Sequence, residues 1–141
     1  MKFRSWLLAA LLASAGPAVA QAPGSGPGAF PASSGDVAAT TSTATLASGG
    51  SFTWWVTGVE VLGNYATAQS IVVCTITGMV NGDVTIDVPV ATNAGIGAFA
   101  PFVVSWNPPI SGVPGSAVVF SCPSFGAGAT HSAITIHATL Q

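Results

Sequence analysis

The sequence predicts an all-β fold, a two-sheet β-sandwich of about seven antiparallel strands with one disulfide. The first observation behind this is the stretch IVVCTITGMVNGDVTIDVPV, Ile71 to Val90. Two β-type runs meet there at Asn81-Gly82, a dipeptide whose tolerance of positive φ favours a tight hairpin turn. The second observation is alternation. Val84, Ile86, Val88 and Val90 interleave with Asp83, Thr85, Asp87 and Pro89, so one face is apolar and the other wet. The third is a matching inner face on the first arm, Val72, Cys74 and Ile76, whose cysteine has a single possible partner, Cys122.

The hairpin also predicts its register. A two-residue loop at Asn81-Gly82 would set Ile76 against Asp87 and Cys74 against Pro89, core residue against solvent residue on every rung. A half-buried sheet does not tolerate that. One extra residue on the first arm sets Val72 against Val90, Cys74 against Val88 and Ile76 against Ile86, with Thr77 opposite Thr85 outside. The expectation is a bulge at Gly78, or a three-residue turn with Gly82 in the left-handed region.

Residues 1–20 read as a secretory signal peptide. Lys2 and Arg4 form the charged region, Trp6 to Ala15 the apolar core, and Ala18-Val19-Ala20 the small-residue cleavage site. The apolar run is too short to span a bilayer, so export and cleavage before Gln21 are expected. No cysteine lies near that site to carry a lipid. Cleavage leaves 121 residues (141 minus 20), enough for a single domain.

Beyond residue 20 the chain has no Lys and no Arg, against Asp36, Glu60, Asp83 and Asp87. Side-chain salt bridges are then confined to His131 and His137. Nucleic-acid phosphates and anionic lipid would meet no cations, so neither is an expected partner. Low charge does not imply disorder here, because 50% of the chain is hydrophobic. Stability must rest on apolar burial, backbone ladders and the Cys74–Cys122 disulfide expected of an exported chain. Both cysteines are in phase with inner-face residues, Cys122 with Val118 and Phe120.

Taken in order, residues 21–35 (QAPGSGPGAFPASSG) read as a flexible leader, and 36–141 as the single domain. Asp36 to Ser48 reads as an edge strand with Thr41, Thr43 and Thr45 on one face. A threonine row of this kind can order water on an ice-binding surface, but one short row without a repeat is the mark of a soluble edge. Ser51 to Leu62 is the next strand, with Phe52, Trp54 and Val56 on one face and Thr53, Trp55 and Thr57 on the other. After Gly58 the phase flips to Val59 and Val61, which predicts a bulge. Phe102, Val104 and Trp106 line the inner face of a strand expected to stop at Asn107-Pro108-Pro109, since proline lacks a ladder donor. Ser116 to Cys122 and Ser132 to Leu140 complete the set, the last turning Ile134, Ile136, Ala138 and Leu140 inward.

A cysteine pair on inner faces, with Trp106 between its members in sequence, resembles immunoglobulin-like domains in architecture. The resemblance implies a sandwich whose disulfide joins an early-middle strand to a late one. It extends to architecture only, since Trp106 lies 32 residues after Cys74, farther than the antibody pattern places it.

Catalysis needs titratable groups brought together, and few are present. There is no Gly-x-Ser-x-Gly elbow, and Ser132 beside His131 is a neighbour in sequence only. Asp83 and Asp87 sit on one strand face about 13 Å apart by strand rise, too far for a paired-carboxylate glycosidase. His131 and His137 are a possible metal pair, but a blue-copper arrangement is missing its Met after the last His. No cofactor or metal is expected.

Trp55 stands out, an outward aromatic flanked by Thr53 and Thr57. Such a group is either a platform for stacking sugar rings or, the commoner case, covered by a loop, the 21–35 leader or a neighbouring subunit; Tyr65 and Phe125, in loops, could extend a platform, though nothing in the sequence places them beside Trp55. The expected function is an exported, non-catalytic domain with a structural or protein-assembly role, periplasmic or extracellular, pairing with itself or other envelope proteins through edge strands. The second reading is a carbohydrate-binding module using Trp55, with polysaccharide as partner. The third is a small secreted hydrolase or metal-binding protein.

Overall fold

The computed structural model describes residues 29–141 apart from 39, 65, 67–69 and 91–99. The expected signal peptide, the start of the leader, Tyr65 and the loop at 91–98 lie outside the described residues. Eight strands are present: β1 (Ala29–Ser33), β2 (Ser42–Leu46), β3 (Trp54–Gly63), β4 (Ser70–Thr77), β5 (Val84–Val90), β6 (Phe102–Ser111), β7 (Val118–Cys122) and β8 (Ser132–Leu140). They form two antiparallel four-stranded sheets, ordered β1-β8-β3-β6 and β2-β7-β4-β5. We call these the first and second sheet.

Period-two alternation builds the core between them. Val56, Val59 and Val61 of β3 and Ile134, Ile136 and Ala138 of β8 face Phe120, Ile76, Val88 and Cys74 of the second sheet, all essentially without solvent contact. The bulge expected at Gly58 is present: the pairing of β3 with both neighbours shifts between Val56 and Gly58. Thr57 is the inserted residue, and it lets Val56 and Val59 both point inward. Glycine is required by a close approach, because a Cβ at position 58 would lie 2.8 Å from the Val104 carbonyl oxygen of β6.

Four expectations are corrected. The eighth strand, β1, comes from the stretch read as flexible leader. It pairs with β8, Phe30 opposite Ala138 and Ala32 opposite Ile136, and the Phe30 ring meets Trp54 edge-on at 5.6 Å between centroids. A five-residue strand with proline in its middle has too weak an alternation to be read alone; it forms because β8 offers it an edge. Second, the β4–β5 register lies two residues from the expected one. Val72 faces Val88, Cys74 faces Ile86, Ile76 faces Val84, and Thr75 rather than Thr77 meets Thr85. Inner residues still face inner residues, as the alternation demands, but the connection is longer. Both Gly78 and Gly82 have positive φ, and Met79 leaves the hairpin to bridge Gly112 at the end of β6. Met79 is buried there, so a tertiary contact outweighs the tight turn.

Third, β6 does not end at its prolines. Ser105 pairs with Gly58 and Ile110 with Val56, so residues 106–109, with a cis Asn107–Pro108 bond, bow out of the ladder opposite Thr57. Edge position makes this tolerable, since the missing donors face no partner strand. Fourth, Phe52 precedes β3 and is exposed, unlike Trp54, which is buried and donates its indole N–H to the Ala47 carbonyl at 2.7 Å.

The disulfide is at bonding distance, with Sγ atoms 2.03 Å apart. It joins β4 to β7, neighbours in the second sheet, and so departs from the immunoglobulin arrangement, in which the bond crosses between sheets.

Candidate functional site

The outward positions of the first sheet fall into rows set by its register. One row runs Ala29, Thr139, Trp55, Ser111; the next runs Pro31, His137, Gly58, Ser105; the third runs Ser33, Thr135, Glu60, Val103. In the middle row β3 presents glycine, so no side chain fills the space between His137 and Ser105. A depression of about 570 Å³ opens there, lined by Ala29, Thr57, Glu60, Val103, Ser105, His137 and Thr139. Its volume is in the range of small-ligand sites. The Thr57 hydroxyl is committed, donating to the His137 carbonyl at 3.1 Å. Glu60 has no ion-pair or hydrogen-bond partner among the described residues. These residues do not make a hydrolytic triad, because Ser105 and His137 are separated by β3, roughly 10 Å between backbones.

Trp55 lies one row along the same face, half-buried. It lines a second depression of about 290 Å³ with Asn81, Val84, Pro109 and Ile110. The bowed-out segment of β6 and the β4–β5 turn therefore wall the indole. Thr57 belongs to the first depression. Thr53 sits before β3, its backbone exchanging two hydrogen bonds with Gln141 at 2.7 and 3.0 Å. The platform residues expected from sequence are thus divided between two places. Phe125 does not extend any surface, being buried with 1% exposure.

His131 and His137 are not brought together. Six positions along the chain, extended through β8, separate them by roughly 20 Å, and His131 Nδ1 lies 2.8 Å from Asp36 Oδ2, both side chains exposed. No group of three metal-ligating side chains occurs among the described residues. Asp87 faces out from β5, and Asp83 precedes that strand.

The outward face of the second sheet has a different chemistry. Thr43, Ser121, Thr75 and Thr85 form a hydroxyl row across all four strands, and in the next row Thr45 and Thr77 flank Val119. Ile71 and Val73 continue the face with 68% and 48% exposure. Asp87, opposite Val73, is the only charged side chain in these rows.

Trp55 is legible in the sequence as an outward aromatic, whereas the depression over Gly58 and the second sheet's face are not. The signal for the first was present, since the bulge places a glycine where the outward row needs a side chain. The second required the β4–β7 and β2–β7 pairings. No protein-family model matches this chain, and no curated protein matches it either. What fold and faces define is a disulfide-bonded β-sandwich with one hydroxyl-rich face and one pocketed face.

Proposed function

We propose that this is an exported, non-catalytic structural domain that associates with a second copy of itself through the outward face of the second sheet. The observation that carries the reading is the exposure of Ile71 and Val73 on a face whose rows hold one charge. Contiguous exposed apolar surface marks interaction sites, and depletion of charge is the compositional mark of an interface centre. The strand edges support association less well. β1 carries Pro31, β5 carries Pro89, β6 carries Pro108 and Pro109, and β2 has only five residues, all devices that blunt edge pairing. The disulfide suits an oxidising compartment, and no helix among the described residues is long and apolar enough to cross a membrane. Sedimentation equilibrium over a wide concentration range tests the reading. The protein is expected to dimerise, and Val73→Lys to hold it as a monomer with an unchanged melting temperature. A monomeric wild-type protein at every concentration refutes it.

A second reading rests on Trp55. Its walled depression, with Pro109 and Ile110 beside the indole, fits one sugar ring, the aromatic face supplying contact at small entropy cost. Glycan binding lost in Trp55→Ala, with the fold intact, would favour it.

A further inference from the structure

We infer that the depression over Gly58 binds an ammonium group carried on a short aliphatic body. Three observations lead there. First, its acceptors are uncommitted: neither Glu60 nor the Ser105 hydroxyl, both lining the depression, has a side-chain partner among the described residues. An ammonium has three donors and no acceptor, which matches a depression lined by a carboxylate and a hydroxyl. Second, no Lys or Arg occurs among the described residues, and His137, the one basic side chain lining the depression, makes no ion pair with Glu60, so the carboxylate is open to a cation brought by a ligand. Third, Val103 and Ala29 give the depression apolar walls, suited to methylene groups.

Other ligand classes fit less well. An anion would meet Glu60 and no Lys or Arg. A metal ion would have Glu60 and His137 alone, short of a closed coordination shell. A sugar would have no aromatic ring to stack on among the lining residues. The ammonium could belong to a free amine or to a lysine side chain of a partner; the chemistry is the same.

The test is an NMR titration of the oxidised protein recovered after export, following backbone amides. The probe is n-butylammonium, with n-butanol and glucose as neutral comparators. Saturable shifts are expected at Glu60, Ser105 and His137 with the amine alone. Glu60→Gln should weaken binding about fivefold, the size of one partly exposed charge contact. Ser105→Trp should abolish it by filling the gap while keeping the charge. Equal response to n-butanol or glucose, no saturable shift, or unchanged binding in either variant overturns the proposal. A blocked Gly-Lys-Gly peptide, compared with its acetyl-lysine counterpart, separates the sources. Binding of the amine alone identifies a small molecule; binding of the peptide as well, lost on acetylation, identifies a partner's lysine.

Discussion

Cys74 and Cys122 face each other across β4 and β7 with Cα atoms 4.2 Å apart, one rung beyond the Thr75–Ser121 pair. The bond therefore fixes the register of two central strands rather than clamping one sheet to the other. Outside the same rung pair lies the hydroxyl row Thr43, Ser121, Thr75, Thr85, so the disulfide also holds that row in line. Closing a loop of separation 48 restricts the unfolded chain by about 4 kcal/mol. The variant carrying Cys74→Ala and Cys122→Ala should keep its β-sheet circular dichroism, because the core packing remains. Its urea midpoint should fall by an amount equivalent to about 2–4 kcal/mol. An unchanged midpoint would show that the bond adds nothing to the ladder.

The sheets are joined by a polar contact at one end. Ser42 of β2 and Ser132 of β8 are both buried, at 0% and 5% exposure, and their hydroxyls hydrogen-bond each other. Removing one leaves the other without its inter-sheet partner, a cost of about 1–3 kcal/mol. Removing both replaces two polar groups by methyls. A double-mutant cycle of Ser42→Ala and Ser132→Ala, read by chemical denaturation, should therefore show the double variant less destabilised than the sum of the singles. Additive effects would show the two hydroxyls to be energetically independent.

Gly58 carries the bulge and makes the first sheet's depression possible. With a Cβ at position 58 only 2.8 Å from the Val104 carbonyl, Gly58→Ala must push β6 away from β3. The expected loss is about 1–3 kcal/mol, as for other overpacked sites. Hydrogen exchange should quicken first in Val103 to Ser105, the β6 segment that faces the bulge, while β4 and β7 keep their protection. Uniform loss of protection would place the strain elsewhere.

The elements legible in sequence were those whose alternation is strong. β4, β5, β7 and β8 show an apolar face every second residue, and Gly58 announces a phase change between Val56 and Val59. What was not legible depended on contacts distant in sequence. Phe30 forms part of β1 because β8 and Trp54 receive it, and nothing in its Pro- and Gly-rich neighbours says so. Asn81-Gly82 marks the β4–β5 turn in the sequence, yet the bridge from Met79 to Gly112 and the hydrogen bond from Val113 N–H to the Gly78 carbonyl at 2.8 Å draw the connection toward β6. Alternation fixes which face a residue takes and leaves the register free by two. For the same reason Trp55 was legible as outward-facing, whereas the gathering of Glu60, Ser105 and His137 needed three strands laid side by side.

Two loop residues 6 apart in sequence, Phe125 and His131, make opposite predictions although each contacts a neighbour. His131 pairs with Asp36 in the open, with side chains 63% and 64% exposed, and an ion pair in that setting contributes little. His131→Ala should change stability by no more than about 0.5 kcal/mol. Phe125 fills the space over Gly63, where an added Cβ would come within 2.6 Å of its ring. Glycine at 63 and the ring at 125 are therefore fitted to each other. Phe125→Ala should cost about 3–5 kcal/mol through lost burial and the cavity left behind. Gly63→Ala alone should destabilise by overpacking, and part of that penalty should vanish when Phe125→Ala accompanies it. Thermal denaturation of the four proteins measures the coupling. A cycle that closes additively would mean that the loop carrying Phe125 gives way before the strand does.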